Sequence, residues 1–169
     1  MTLRPGKLAP PGDQVTVSVA VAVEPAVAFD VFTQETDLWW KRGLRYRLAG
    51  KRPGTLQFEG GVGGRLFETF ETGAGVKVFE GGRITVWEPP SRLMFEWRNA
   101  NFEPGERTEV EVLCEPTDTG TRVTVQHRGW ASLRPDHPSR HDMDVPAFTR
   151  SMGMWWGDQL TALREFVAT

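Results

Sequence analysis

His127 is the side chain of this sequence with the clearest capacity for chemistry. It ends the segment TRVTVQH, in which Val123, Val125 and His127 alternate with polar residues. The alternation predicts a strand whose histidine lies on the buried face. Three roles stay open for it: a core histidine bonded to a backbone carbonyl, a polar anchor for a ligand, or a catalytic base. No Ser, Cys or carboxylate can be paired with His127 from the sequence, so no catalytic residue is assigned.

The loop GWASLRPDHPSRHDMD contains residues that could bind a metal ion. His137 and His141 are four residues apart. Three aspartates accompany them, Asp136, Asp142 and Asp144. Four-residue spacing would place both imidazoles on one face of a helix, but Pro138 lies between them and prevents a continuous helix. We therefore expect a polar loop before the next helix, with no metal and no cofactor.

Other candidate motifs have ordinary structural explanations. GGVGGR, residues 60–65, is glycine-rich, but no Lys-Ser or Lys-Thr follows it and no helix is predicted after it, which excludes a phosphate-binding loop. Glu109 and Glu111 share the polar face of one predicted strand and need no catalytic role. Cys114 is the single cysteine, which excludes an intrachain disulfide and a cysteine-based zinc site and fits a reducing compartment.

Composition and charge limit the classes of function. The chain has 169 residues, of which 39% are hydrophobic and 25% are charged. A net charge of −2 argues against a nucleic-acid partner and against attraction to an anionic membrane. No segment approaches the roughly 20 apolar residues of a membrane span, and residues 1–13 contain no apolar targeting core. We expect a cytoplasmic protein whose residues 1–13 are a disordered lead-in.

The elements that must position these side chains follow from hydrophobic periodicity. Residues 14–23 alternate as one strand, and Pro25 begins a short helix. TQETDLWWKR predicts a second short helix with Thr36 as its N-cap. Trp39 and Trp40 end this helix. One of them is expected to be buried and the other partly exposed, because adjacent helical residues point about 100° apart.

Residues 44–128 are predicted to form strands separated by turns rich in Gly and Pro. The predicted strands are LRYRL, TLQFE, GRLFETF, GVKVFEGGRITVW, RLMFEW, RTEVEVLCE and TRVTVQH. In the fourth of these, Gly81 and Gly82 indicate a bulge or a bend. The last two strands should have one covered face, as in an antiparallel sheet. Six side chains are expected on that face: Val110, Val112, Cys114, Val123, Val125 and His127.

The C-terminal segment predicts a long amphipathic helix from about Val145 to Ala168, roughly 35 Å long at 1.5 Å per residue. Its apolar stripe carries Met152, Trp156, Leu160, Leu163 and Val167. Gly153 and Gly157 interrupt the helix, and each costs about 1 kcal/mol relative to Ala. The stripe is either solid core or one wall of a pocket. Together the elements predict one α+β domain over residues 14–169.

Several segments resemble a known family. PAVAFDVFTQETDLWW resembles the opening of the domain related to the activator of the heat-shock protein 90 ATPase, and GGRITVWEPPSRLMFEW resembles its central hairpin. GTRVTVQHRGW resembles its last strand, and GGVGGR is similar to the turn before its fourth strand. The similarity covers about residues 14–168, and the order of elements resembles the wider START-like SRPBCC superfamily. These motifs are mostly turn and core residues, so they indicate the fold better than the chemistry.

The resemblance implies a helix-grip fold, in which a curved antiparallel sheet of about six or seven strands wraps around the long C-terminal helix. It also implies a cavity between the sheet and that helix. The residues expected at this cavity are Trp39, Trp40, Phe67, Phe95, Trp97, His127, Trp130, Met152, Trp156 and Leu160. In this arrangement Gly153 and Gly157 would let backbone or ligand approach the helix closely.

Three functions are compatible with this sequence. The first is the binding of a small, mainly apolar molecule in the cavity, with a homodimer left open. The second is an enzyme of the cyclase, hydratase or hydrolase type with His127 in its acid–base set, which rests on fold analogy alone. The third is a co-chaperone-like interaction module. Chaperone activators of this family carry an additional domain, whereas one domain is predicted here.

The segment KRGLRYRLAGKR, residues 41–52, holds six basic residues in twelve. It is either a solvated face or a basic rim for an anionic ligand, with Arg45 and Arg47 as the rim residues. An exposed apolar patch near this segment would favour the interaction module.

Overall fold

The computed structural model describes residues 14–48, 54–98, 102–130, 133, 137, 143 and 145–168. Within these residues the strands are β1 (Gln14–Val21), β2 (Gly54–Phe58), β3 (Arg65–Thr72), β4 (Gly75–Glu88), β5 (Arg92–Trp97), β6 (Thr108–Thr117) and β7 (Gly120–Arg128). The helices there are α1 (Pro25–Gln34), α2 (Thr36–Trp39) and α3 (Val145–Val167). The predicted lead-in over residues 1–13 lies outside the described residues.

All strand pairs are antiparallel, and the sheet has the order β1-β7-β6-β5-β4-β3-β2. The sheet is curled, and α3 lies along it, packing most extensively against β1. This arrangement confirms the predicted helix-grip fold with two short helices after the first strand.

The register of β6 against β7 places the predicted residues on the buried face. Val110 pairs with His127, and Val112 pairs with Val125. All six predicted side chains are buried: Val110, Val112, Cys114, Val123, Val125 and His127. On the other face, the Glu109 carboxylate accepts a hydrogen bond from Arg128 at 2.9 Å. The alternation of apolar and charged residues therefore determined the register, because a slip by one residue would bury the glutamates.

A β-bulge interrupts β4, as the two glycines predict. The register of β3 against β4 shifts after Leu66, which pairs with Gly82, and Gly81 is the extra residue. Both glycines are buried, and a Cβ atom on Gly82 would overlap the carbonyl oxygen of Glu96 on β5. Close approach of two backbones thus requires glycine here, and the bulge bends the strand.

The N-cap of α2 differs from the prediction. The cap residue is Glu35, and the Thr36 hydroxyl instead donates a hydrogen bond to the Phe32 carbonyl of α1 at 2.7 Å. Because α1 and α2 are separated by one residue, the last carbonyls of α1 are the acceptors nearest to this hydroxyl.

The prediction that one of Trp39 and Trp40 is exposed is wrong, because both are buried. Helix α2 is only four residues long, and Trp40 follows it with an extended backbone, so the helical angle between neighbours does not apply. The Trp39 indole donates to the Val31 carbonyl at 3.2 Å, and the Trp40 indole donates to the Tyr46 carbonyl at 2.9 Å.

Residues 44–48, LRYRL, form turns and not the predicted strand. The reason lies in Arg47, which is buried and donates to the Trp40 carbonyl at 2.8 Å. Its guanidinium also forms an ion pair with Asp37. A buried charge requires such partners, and a turn brings them within reach where a solvated strand would not. Of the two predicted rim residues, only Arg45 is exposed.

No described backbone approaches the two glycines of α3 closely, and the approach of a ligand there stays a prediction. A Cβ atom on Gly153 would lie 3.9 Å from Val15 Cγ1, which is ordinary contact. A Cβ atom on Gly157 would meet no described heavy atom within 4 Å.

Although α3 has 23 residues, no helix among the described residues combines the length and apolar character of a membrane crossing.

Candidate functional site

A chain of hydrogen bonds links α3 to three strands through His127. The Trp156 indole N–H donates to His127 Nδ1 at 3.0 Å. His127 Nε2 lies 2.6 Å from the Thr108 hydroxyl, which in turn lies 3.4 Å from the Trp97 carbonyl. All four residues are buried. The network therefore connects α3, β7, β6 and β5 across the interior of the grip.

The direction of these bonds determines the tautomer of His127. Indole nitrogen can only donate, so Nδ1 of His127 is an acceptor and the ring proton is on Nε2. Nε2–H then donates to the Thr108 hydroxyl, and that hydroxyl donates to the Trp97 carbonyl. Burial lowers the pKa of His127 to about 3, so the ring is neutral at physiological pH. Both ring nitrogens are engaged by protein groups, which leaves no free lone pair for a substrate proton.

Four indoles pack around this network and form the tryptophan cluster: Trp40, Trp97, Trp155 and Trp156. Every pair of their ring centroids is separated by 5.0 to 6.4 Å. Trp155 is partly exposed, and its N–H donates to the Arg45 carbonyl at 2.8 Å. At this turn of α3 the interior is filled by aromatic side chains, which contribute more than their buried area alone.

The structure brings nine of the ten predicted site residues together around α3 and the core. Eight are buried: Trp39, Trp40, Phe95, Trp97, His127, Trp130, Trp156 and Leu160. Met152 is partly buried and packs against them. Phe67 lies apart, on the face of β3 opposite to the buried Leu66, where the Arg65 guanidinium lies 4.6 Å from its ring centroid. Strand alternation explains this difference, because neighbours on a strand face opposite sides.

Met152 is a partly exposed position between two buried residues of α3. Phe148, one turn earlier, is buried, and so is Trp156, one turn later. Met152 nevertheless remains partly exposed to solvent. The Trp130 ring spans the same turn, because it contacts Phe148 at a centroid distance of 5.0 Å and His127 at 4.6 Å. Solvent therefore reaches part of the Met152 side chain, whereas Trp130 is buried.

Two buried N–H donors at this interior have no hydrogen-bond partner within the described part of the chain. They are Nε1 of Trp130 and Nε2 of Gln159. Gln159 Oε1 accepts from the Lys41 backbone N–H at 2.9 Å, which fixes the orientation of its amide. Buried polar groups are nearly always paired, so an orphaned donor in a native structure requires an explanation.

Sequence reasoning missed Thr108, Trp155 and Gln159 as members of this region. Gln159 could have been found, because it follows Met152 by seven residues and is the polar residue within an apolar stripe. Thr108 could not, because its contact with His127 depends on the register of two strands.

The remaining candidates form no reactive site among the described residues. Among the described residues, no group of three potential ligands could hold a metal ion. His137 Nε2 lies 3.1 Å from Glu106 Oε1, and its ring packs on Phe102. Its predicted companions His141, Asp136, Asp142 and Asp144 lie outside the described residues. Burial raises the pKa of the Cys114 thiol to about 12, so it is no nucleophile at neutral pH.

A surface groove of about 480 Å³ lies elsewhere, on β2, β3 and β4. Its lining residues are Gly54, Thr55, Thr69, Phe70, Glu71 and Val76. It contains none of the predicted site residues.

Residues 22–165 match the family described as Activator of Hsp90 ATPase homolog 1-like protein. The chain belongs to this family. Family and fold together support a ligand-binding domain in general, without specifying a ligand. Among proteins of curated function, none matches this sequence.

Solved structures show the same fold at low sequence identity. Protein MLL2253 from Mesorhizobium loti is 20% identical with a TM-score of 0.59, covering 92% of this chain and 96% of that one. The AHSA1 protein from Silicibacter pomeroyi is 17% identical with a TM-score of 0.58, covering 92% and 97%. The Aha1 dimer from Colwellia psychrerythraea is 16% identical with a TM-score of 0.56, covering 91% and 95%. At these identities the likeness concerns the fold alone.

Proposed function

We propose that this protein binds a small, mainly apolar molecule between the sheet and α3, and that the molecule enters beside Met152. The observation that supports this most is the buried N–H of Trp130, which has no acceptor among the described residues and whose ring contacts Phe148, one turn before the partly exposed Met152. The partly exposed position of Met152 is the proposed opening. An apolar, aromatic surround with a few polar groups is typical of small-molecule sites. The proposal includes a cytoplasmic location and one domain over residues 14–169.

Binding without chemistry at His127 fits the geometry better than the enzyme alternative. That alternative used His127 as acid or base, but Trp156 and Thr108 engage both of its ring nitrogens. A general base must reach the proton that it removes, and here its acceptor nitrogen is already occupied. His127 thus supports the site by holding Trp156 in place.

The test uses a neutral apolar fluorescent probe, N-phenyl-1-naphthylamine, and a pair of methionine variants. Met152→Trp should fill the opening and raise the Kd of the probe by roughly tenfold or more. Met154→Trp is the matched control, since Met154 is one of the most exposed large apolar side chains and lies on the outer face of α3. Its Kd should equal that of the wild type. Absence of probe binding by the wild type, or equal binding by all three proteins, would contradict the proposal.

Native mass spectrometry of the purified protein gives a second readout. A retained compound of defined mass, lost in Met152→Trp and kept in Met154→Trp, would identify the natural ligand. The same spectra report whether this chain forms a dimer, as the Colwellia psychrerythraea protein does.

One observation favours a second candidate, a protein-interaction surface. Leu38 and Leu44 are 65% and 62% exposed, and they flank the basic residues Lys41 and Arg42. Exposed apolar side chains beside several positively charged side chains are typical of docking surfaces for acidic partners. The family name suggests the Hsp90 ATPase as the activity to measure. Stimulation by the wild type that is lost in Leu44→Ser would support this candidate, and no stimulation would exclude it.

A further inference from the structure

We infer that the bound molecule is a neutral, apolar compound carrying a carbonyl-type oxygen, and that the indole N–H of Trp130 donates a hydrogen bond to that oxygen. This inference rests on the proposed function and names the ligand class for the same site. Nothing in the family match or in the fold assigns this donor.

The indole N–H of Trp130 is a buried donor that an acceptor on a ligand would satisfy. Trp130 is only 2% exposed, and its ring is held between Phe102, His127 and Phe148. Its Nε1 is nevertheless without an acceptor within the described residues. An indole N–H left unpaired after burial costs roughly as much as a lost hydrogen bond. A ligand oxygen entering beside Met152 would recover that bond.

The groups around Trp130 favour a neutral acceptor over an anion. None of the three rings that contact it carries a positive charge at pH 7, since His127 is neutral. Arg128, the arginine nearest in sequence, lies on the opposite face of β7 and binds Glu109 at 2.9 Å. The described side chains around the Trp130 ring thus offer a carboxylate no counterion, and an unpaired buried charge is far more costly than a buried carbonyl.

Gln159 supplies the other orphaned donor, and its amide is held at a different contact, because its Oε1 accepts from the Lys41 backbone N–H at 2.9 Å. Phe148, which contacts Trp130, and Gln159 are eleven residues apart, about 16 Å along the helix axis. Gln159 therefore provides a matched control: its substitution removes a buried orphaned donor at a distance from the opening.

The experiment compares three probes of nearly the same shape: fluorene, 9-fluorenone and fluorene-9-carboxylate. Calorimetric Kd values are measured for the wild type, Trp130→Phe and Gln159→Met. The wild type should bind fluorenone about five- to tenfold more tightly than fluorene, and the carboxylate most weakly. A purely apolar site would show the opposite preference, because the carbonyl is better solvated in water.

Trp130→Phe keeps an aromatic ring and removes the N–H donor together with the five-membered ring that carries it. It should bring the fluorenone-to-fluorene ratio to about one, while the Kd for fluorene changes less than about twofold. Gln159→Met should keep the wild-type ratio. In the wild type, the indole N–H proton resonance of Trp130 should shift on adding fluorenone and stay in place on adding fluorene.

The outcomes separate this inference from the proposed function. Equal binding of fluorene and fluorenone by the wild type would overturn the inference and leave the proposed function intact, with a buried water as the partner of Trp130. Loss of selectivity only in Gln159→Met would overturn the assignment to Trp130. Binding of none of the probes would overturn both.

Discussion

The Trp156 indole N–H donates to Nδ1 of His127 over 3.0 Å, and this bond joins α3 to the centre of the sheet. Both residues are fully buried. The bond fixes the rotation of α3 about its axis, because the indole can meet Nδ1 in only one orientation. It therefore determines which residues of α3, among them Met152, face the interior.

Trp156→Phe should lower the free energy of unfolding by about 1–3 kcal/mol, because it leaves Nδ1 of His127 as a buried acceptor without a donor. Trp156→Ala should cost roughly 3–5 kcal/mol, since transfer and cavity terms add. Trp155→Phe is the control: Trp155 is partly exposed, so water can replace its bond to the Arg45 carbonyl, and the loss should stay below about 1 kcal/mol. Urea denaturation measures the free energy of unfolding of all three variants. Equal losses for Trp156→Phe and Trp155→Phe would contradict the hydrogen bond between Trp156 and His127.

Stability should fall as the pH drops below the ordinary pKa of histidine. The pKa of His127 is about 3 in the folded protein, against 6.5 for an unperturbed histidine. Between these values the unfolded chain binds a proton that the folded protein excludes. His127 therefore has no effect on the free energy of unfolding above pH 6.5. Below that pH it lowers the free energy of unfolding by about 1.4 kcal/mol per pH unit until the pH reaches about 3.

The control for this pH dependence is His127→Gln, whose amide can accept from Trp156 and donate to Thr108 without titrating. The free energies of unfolding are compared at pH 7, 6 and 5. As the pH falls, the free energy of unfolding of the wild type should decrease more than that of the variant. The titration of carboxylates affects both proteins equally and therefore cancels in the difference. A difference that stays constant over this range would show that His127 does not titrate on unfolding.

Substitution of alanine should change the stability of the protein in opposite directions at two glycines, Gly157 and Gly82. Gly157→Ala should raise stability by up to about 1 kcal/mol, because alanine is the better helix former and the added methyl meets no described atom within 4 Å. Gly82→Ala should prevent normal folding, since its Cβ would overlap the Glu96 carbonyl oxygen. Thermal melts of the two variants test this contrast. Destabilisation by Gly157→Ala would mean that α3 is packed more closely there.

Two arginines of the basic segment should differ in their contribution to stability. Arg47→Met should cost about 1–3 kcal/mol, because it leaves the Trp40 and Lys41 carbonyls without their donor, while Asp37 keeps its ion pair with Arg42. Arg45→Met should change stability by less than about 0.5 kcal/mol, because its side chain is exposed. Burial acts to raise the pKa of Asp37, but hydrogen bonds from the Leu56 N–H and from Arg47 outweigh it, and the pKa is lowered. Equal effects of the two substitutions on chemical denaturation would contradict the buried ion pair.

Local patterns in the sequence determined strands β1 to β7, the long helix and the buried face of β6 and β7, although they also predicted a strand at residues 44–48, which form turns. The alternation around Val110 and Val125 leaves one register that covers the apolar side chains and solvates the glutamates. The pair Gly81 and Gly82 marked the bulge, because only a residue without Cβ tolerates a neighbouring backbone at that distance. These features depend on residues close together in the chain, so periodicity and turn chemistry are sufficient to find them.

Tertiary structure alone decided the contacts that define the site. Nothing near His127 in sequence indicates that its ring nitrogens meet Trp156 and Thr108, because those contacts depend on how α3 crosses the sheet and how β6 pairs with β7. The basic segment around Arg47 predicts a solvated or ligand-facing side chain. The fold instead buries Arg47 against Asp37 and the Trp40 carbonyl. The Trp130 N–H has no acceptor among the described residues, and this depends on the complete packing, because every neighbour must be placed before a donor is left without an acceptor.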